Sequence, residues 1–227
     1  MRIASYNIRK AVGLDWRRDA DRIADVLAEI DADIVVLQEA DRRVGNRAGV
    51  LPLDRLADEL RYDLVDLSIR PLSHGWHGNA ILFRNDIPVA RTRRIDIPTI
   101  EPRGAVSAIL SDPPVEIIGV HLGLTPGKRR QQMTSLNHYI ENAPHPVVIA
   151  GDFNEWKTDI EVFKETGRMI SPGHSYHSAR PRAALDRFVI AGPISHEASF
   201  VHKSELARVA SDHLPIVMEI AFTEPAQ

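Results

Sequence analysis

The chain has 227 residues, 28 Lys and Arg against 31 Asp and Glu, no cysteine and a net charge of -3. That length predicts a single domain over 1–227 with a core large enough to need no covalent staples. The missing thiols exclude a disulfide framework and a zinc–thiolate centre, and the charge balance excludes a molecule-wide positive field for polyanions.

No apolar run approaches membrane-spanning length, so stable membrane insertion is not expected. Met1-Arg2 leads straight into a strand pattern without a signal-peptide layout, and the expected location is cytoplasmic. No stretch calls for an obligate protein partner. Arg2 to Ile8 alternates as a first strand with Asn7 near its end. Asp19 to Ile30 carries Ile23, Val26, Leu27 and Ile30 on one helix face. Asp33 to Glu39 reads as a buried strand closing on an acid, either a cap or a site residue. Arg42 to Pro52 is a polar loop, Leu53 to Leu60 a short amphipathic helix, and Tyr62 to Ile69 alternates as a strand.

Ser73 to Gly78 is a flexible loop; its two histidines and Trp76 read as surface rather than pocket. It feeds the strand Asn79 to Phe83. Val89 to Ile97, Ala105 to Leu110 and Val115 to Val120 follow as strands, the last leading into His121. Lys128 to Glu141 is helical by period. Pro146 to Ala150 is a short apolar run that reads as a strand buried on both faces, broken by Gly151, with Asp152 and Asn154 at its carboxyl end. Either residue taken alone reads as the cap of a helix starting near Glu155. A short helix is expected near Thr158 to Thr166, then a loop over Ser171 to Arg182 and strands at Leu185 to Ile190, Ala198 to Val201 and Ile216 to Phe222. Strands interrupted by few helices predict large mixed sheets, an α+β class.

Asn7, Glu39, His121, Asp152, Asn154, Asp186, Asp212 and His213 each stand where an apolar strand starts or stops. Capping explains one such residue but not eight. Converged, Glu39, Asp212 and Asn7 offer oxygen ligands to a hard divalent cation that keeps part of its water, magnesium or manganese rather than zinc. The histidines and Asp152 remain for proton transfer and anion contact, a set that describes phosphoester hydrolysis. A dinucleotide-binding fold is excluded, because Asn7 to Gly13 supplies no glycine-rich turn.

Tyr6-Asn7-Ile8, Gln38-Glu39, Gly78-Asn79-Ala80-Ile81, His121-Leu122, Gly151-Asp152-Phe153-Asn154, Leu185-Asp186 and Ser211-Asp212-His213-Leu214-Pro215 form an ordered set spanning nearly the whole chain. Together they resemble the endonuclease/exonuclease/phosphatase superfamily with the deoxyribonuclease I-like fold. The resemblance implies a four-layer α/β/β/α sandwich, two mixed sheets packed face to face between helices, with a site at one edge. It implies Glu39 as main metal ligand with Asn7 and Asp212 beside it. It also implies His213 at the phosphate or as general base, oriented by Asp186, with Asp152 and Asn154 positioning water. His121 would protonate the leaving oxygen or bind phosphate. A histidine there resembles the nuclease, sphingomyelinase, deadenylase and inositol-phosphatase branches rather than the apurinic-endonuclease branch.

The expected activity is metal-dependent phosphodiester hydrolysis on short or single-stranded nucleic acid. The alternatives are a phospholipid or small-molecule phosphoesterase and an inactive binding module on the same fold. Lys128 to Arg130, Arg180 and Arg182 are expected to reach a phosphate, and Arg91 to Arg94 to form a solvated face.

Overall fold

A computed structural model describes residues 1–99, 103–158 and 160–223. One sheet runs in spatial order β11 (Ile194–Val201), β12 (Ile216–Phe222), β1 (Arg2–Asn7), β2 (Ile34–Gln38), β4 (Ala80–Arg84) and β3 (Tyr62–Leu64). The second runs β5 (Val89–Ile95), β6 (Ala105–Leu110), β7 (Glu116–His121), β8 (Val147–Asp152), β10 (Asp186–Ala191) and β9 (Arg168–Ile170). The pairs β1–β2 and β7–β8 are parallel and the other neighbours antiparallel, so both sheets are mixed.

The period of two divides each central strand between two cores. Ile3, Ile34, Val36, Ile81, Ile216 and Met218 of the first sheet meet Val106, Ala108, Ile117, Val148, Ala150, Phe188 and Ile190 of the second in the inner core. The alternate residues Ala4, Tyr6, Val35, Leu37 and Leu82 face outward, against the buried sides of α1 (Ala20–Ile30), α2 (Leu53–Asp58) and α4 (Glu205–Ala210). On the far side Ile118, Val120, Ile149 and Val189 pack against Met133, Leu136 and Ile140 of α3 (Pro126–Glu141). These are the four expected layers, helix, sheet, sheet, helix. Burial on both faces is why the strands read as nearly continuous apolar runs.

The helix ends have local causes. Asp19 caps α1 by accepting from Arg22 N–H at 3.0 Å, and Ser204 caps α4 through Ala207 N–H at 2.9 Å.

Four expectations change. The strand from Tyr62 ends at Leu64, leaving the rest of the expected run to Ile69 outside the sheet. The stretch from Thr158 to Thr166 has no helix among its described residues (159 lies outside them), only turns over 162–166. They close through Lys164 N–H to Glu161 O at 3.0 Å and Gly167 N–H to Phe163 O at 2.8 Å. No helix starts near Glu155 either, so Asp152 and Asn154 cap nothing. The three-residue β9 and six-residue α4 stand where no element was expected. The single-domain expectation extends over 224–227, which lie outside the described residues.

Candidate active site

Strand parity builds the centre of the site. Residues 3, 5 and 7 of β1, 117, 119 and 121 of β7, 148, 150 and 152 of β8 and 186, 188 and 190 of β10 share the face between the sheets. Asn7, His121 and Asp152 therefore leave their strands inward at one end, and Asp186 enters there because β10 runs antiparallel to β8. Register aligns them: His121 pairs with Asp152 across the parallel β7–β8 step, and Asp152 with Asp186 across β8–β10.

Side chains close the constellation. His213 Nδ1 lies 2.8 Å from Asp186 Oδ2, and Ser175 Oγ donates to the same oxygen at 2.5 Å. Asp152 Oδ2 accepts from Asn7 Nδ2 at 3.0 Å and lies 3.4 Å from His121 Nε2 and 3.7 Å from His213 Nε2. Asp152 Oδ1 accepts from Asn154 N–H at 2.9 Å, and Asn154 Nδ2 donates to Leu122 O at 2.9 Å, tying the loop to the end of β7. Asp152, Asp186 and His213 are buried, and their ligand atoms lie within 4.8 Å of one another.

The remaining predicted residues sit beside this cluster and are held by cations of one turn. Arg9, Lys10 and Ala11 follow β1 with φ of 46°, 59° and 58°, the left-handed region that non-glycine residues enter at a cost. Glu39 shares that conformation at φ 56°, and its carbonyl accepts from Lys10 N–H at 3.1 Å. Lys10 Nζ pairs with Glu39 Oε2, and Arg9 Nε lies 3.5 Å from Asp212 Oδ2. Arg9 N–H also donates to Asn7 Oδ1 at 3.1 Å. The turn thus links Asn7, which also donates to Asp152, with Glu39 and Asp212, which stand outside the tight Asp152–Asp186–His213 group.

Burial and charge set the ionisation of the cluster. Burial pushes Asp152 up to about 6, with His213 opposing and Asp186 adding to the rise. Burial pushes His213 down, but Asp186 and Asp152 outweigh it and hold the imidazole at about 10. His121 falls well below the usual histidine range, by burial first and then by Arg103 and His213.

Sequence reasoning missed Arg9, Lys10, Ser175, Tyr176 and Trp156. The Tyr176 ring lies 4.9 Å from that of His213, and the exposed Trp156 meets Tyr176 edge-on at 6.3 Å. Ser175, eleven residues before β10 begins at Asp186, had a signal, its place in a Ser- and His-rich stretch that Tyr176 shares. The expected phosphate contact from Arg129 is corrected: the side chain is buried and its Nε donates to Glu155 Oε2 at 3.1 Å. Trp76 is corrected as well, since it packs against the inner core and walls a cavity with His77, Glu39 and His121.

The model of the endonuclease/exonuclease/phosphatase family matches residues 4–213. The uncharacterized protein YbhP of Escherichia coli (strain K12) is 27% identical over 245 residues, covering 96% of this chain and 95% of that protein. The D. rerio TDP2 structure complexed with single strand DNA product superposes with a TM-score of 0.71 at 19% identity, covering 97% of this chain and 98% of that one. The Bacteroides thetaiotaomicron mannosyl-6-phosphatase Bt3783 gives 0.71 at 18% identity, covering 98% and 100%. The match along nearly the whole chain and the ordered strand-end residues agree: the chain belongs to the endonuclease/exonuclease/phosphatase family.

Proposed function

We propose that the chain is a divalent-metal-dependent phosphodiesterase acting on short or single-stranded nucleic acid. The observation that carries the reading is the register of β7, β8 and β10, which sets His121, Asp152 and Asp186 side by side with His213 bound to Asp186. Such a row of acid, base and orienting groups serves proton transfer at an ester.

Asn7, Glu39 and Asp212 would hold magnesium or manganese. Their donors are all oxygen, as a hard cation requires, and Glu39 and Asp212 each already draw a side-chain cation. When bound, the ion supplies positive charge to offset that of the phosphate oxygens. The chain's own residues do the rest. Asp186 fixes the ring orientation of His213, which faces the phosphate or moves a proton with Asp152. Asn154, tied to Asp152 and Leu122, positions the attacking water. His121, held neutral by burial, donates a ring N–H hydrogen bond to a phosphate oxygen on the leaving side.

Trp156, 66% exposed beside Tyr176, favours nucleic acid over a lipid headgroup, because base stacking on an exposed aromatic is sequence-tolerant and favourable. The TDP2 neighbour with its single strand DNA product supports this choice, and the mannosyl-6-phosphatase keeps the small phosphoester as the second reading. A panel of phosphodiester and phosphomonoester substrates, assayed with magnesium and with EDTA, tests both. Metal-dependent cleavage of short single strands is expected; turnover of monoesters alone selects the second reading, and none at all removes both.

A further inference from the structure

A cavity of about 410 Å³ opens beside Glu39 and His121. Among the described residues its wall carries Lys10, Arg42, Arg43, Arg47, Arg70 and Arg103, six cations against the two acids Glu39 and Asp41. That excess of positive charge stands in a chain whose net charge is -3. The two acids are already engaged. Glu39 faces Lys10, and Asp41 accepts from His74 N–H at 2.7 Å and Ser73 Oγ at 2.6 Å. Among the described residues the guanidinium groups of Arg42, Arg43, Arg47 and Arg70 have no carboxylate partner. Like charges gathered on one concave wall repel, and an anion in the cavity offsets that cost.

The wall is built. Asp41 bridges to Gly49 and holds residues 73 and 74, so the loop bearing Arg42, Arg43 and Arg47 is fastened to the one bearing Arg70 and Trp76. The His74 ring lies over Gly49 so closely that a Cβ there would come 2.1 Å from it. The field of these cations reaches both histidines of the cavity: after burial, Arg47 lowers His77 most, and Arg103 lowers His121 most. Cavity and active site therefore share one electrostatic space. Guanidinium forks match phosphate oxygens in pairs, which ammonium groups and neutral donors do not.

We propose that this cavity is a second anion subsite, holding a phosphate of the substrate other than the one cleaved. The proposal rests on the phosphoesterase reading and narrows it. The favoured substrate carries two phosphates close together, as a 5′-phosphorylated short oligonucleotide or a bisphosphorylated sugar headgroup does.

The test is binding to the Asp152→Asn protein, measured by calorimetry in EDTA. One ligand pair is a dinucleotide with a 5′-phosphate and the same dinucleotide with a 5′-hydroxyl; the other is inositol bisphosphate and inositol monophosphate. At least tenfold tighter binding of the doubly phosphorylated member is expected in one pair, and which pair identifies the source of the phosphate. Adding Arg43→Ala and Arg70→Ala, both at exposed positions, is expected to bring the ratio within about twofold with an unchanged circular dichroism spectrum. Equal binding within both pairs, a preference that survives the arginine changes, or no binding at millimolar ligand overturns the subsite. Native-chain turnover separates the two readings. Hydrolysis without the binding preference sinks the subsite alone, and the preference without hydrolysis of any panel member sinks the phosphoesterase reading and leaves an anion site.

Discussion

His213 Nδ1 lies 2.8 Å from Asp186 Oδ2, with both side chains buried and a second donor, Ser175 Oγ, on the same oxygen at 2.5 Å. The imidazole is thereby fixed in one orientation, its Nε2 turned toward Asp152 at 3.7 Å. On the proposed phosphoesterase reading two roles separate: Asp186 orients, and His213 with Asp152 meets the substrate.

His213→Ala is expected to lower kcat by on the order of 10³- to 10⁴-fold, and Asp152→Asn by a similar factor. Asp186→Asn costs less, roughly 10- to 100-fold, because it removes orientation only. Groups acting as a unit lose most of their effect at the first deletion, so the Asp152→Asn/His213→Ala double variant falls hardly below either single one. Single-turnover rates check this. Losses that multiply would place the two residues in separate steps.

Glu39→Gln removes the anionic oxygen that faces Lys10 and leaves its partner without a counter-charge. A cation that gives up water reluctantly binds poorly when Asp212 is the one carboxylate left among its donors. Hydrolysis is expected to vanish while the melting temperature changes little, since Glu39 belongs to none of the three cores. Exhaustive chelation of the native chain reproduces the loss. Undiminished activity after chelation would remove the metal from the reading.

The mixed sheets were legible because the strands read as apolar runs, and the four layers only through the family resemblance: Ile3, Ile34 and Val148 point to the inner core, Ala4 and Val35 to one outer core and Ile149 to the other. The polar strand ends were legible for the same reason, because Asn7, His121, Asp152 and Asp186 interrupt apolar runs where packing alone would continue them. Short elements were not. Residues 162–166 close into turns around the buried Phe163, with Gly167 N–H donating to Phe163 O at 2.8 Å, and nothing in their sequence separates that from a short helix such as α4. Guanidinium roles were also illegible. Arg187, Arg129 and Arg47 look alike in sequence, yet one holds backbone carbonyls, one an acid and one lines a cavity. Only the tertiary partner distinguishes them.

Arg187 yields a stability prediction. It is 1% exposed and donates to the carbonyls of Glu155 at 2.8 Å, Lys157 at 2.6 Å and Ala184 at 3.1 Å, fastening the segment after Asn154 to β10. Arg187→Leu leaves those buried acceptors unsatisfied at a cost of about 3 kcal/mol. For a chain of this size that lowers the melting temperature by roughly 6–12 °C. Arg187→Lys, with one donor head in place of the fork, is expected to recover less than half of it. Thermal unfolding by circular dichroism measures both, and a shift below about 2 °C for Arg187→Leu would refute the structural role.

His74 yields the pH dependence. Burial, opposed by Asp41, holds its pKa below the ordinary histidine value, and Nδ1 accepts from Leu51 N–H at 3.3 Å, which requires the neutral ring on that side. The unfolded chain takes up its proton near pH 6.5 and the folded chain only below that. Its stability contribution is therefore whole above pH 6.5 and is lost as pH falls through the folded value. The difference in melting temperature between the native chain and His74→Leu is expected to narrow from pH 7.5 to pH 5. A constant difference would show that His74 does not titrate with unfolding.

The last prediction concerns salt. A protein that tracks duplex DNA neutralises many phosphates, and its affinity falls with a slope of about -0.9 per contact on a logarithmic scale. This chain has no such track among its described residues. Arg129 is committed to Glu155, Arg187 to backbone carbonyls, and Arg91, Arg93 and Arg94 stand exposed on the edge strand β5, with Arg93 reaching Tyr139 Oη at 3.3 Å. Lys10 and five arginines beside the site line one cavity of about 410 Å³, room for a phosphate and its neighbour rather than for a helix of phosphates. On the order of two to four contacts are expected, hence a slope of roughly -2 to -4. The His213→Ala protein, titrated with a duplex and with a short single strand across a salt series, supplies the measurement. The single strand should bind tighter at every salt concentration. Tight duplex binding with a slope steeper than about -6 would mean a long phosphate track and would overturn the preference for short substrates.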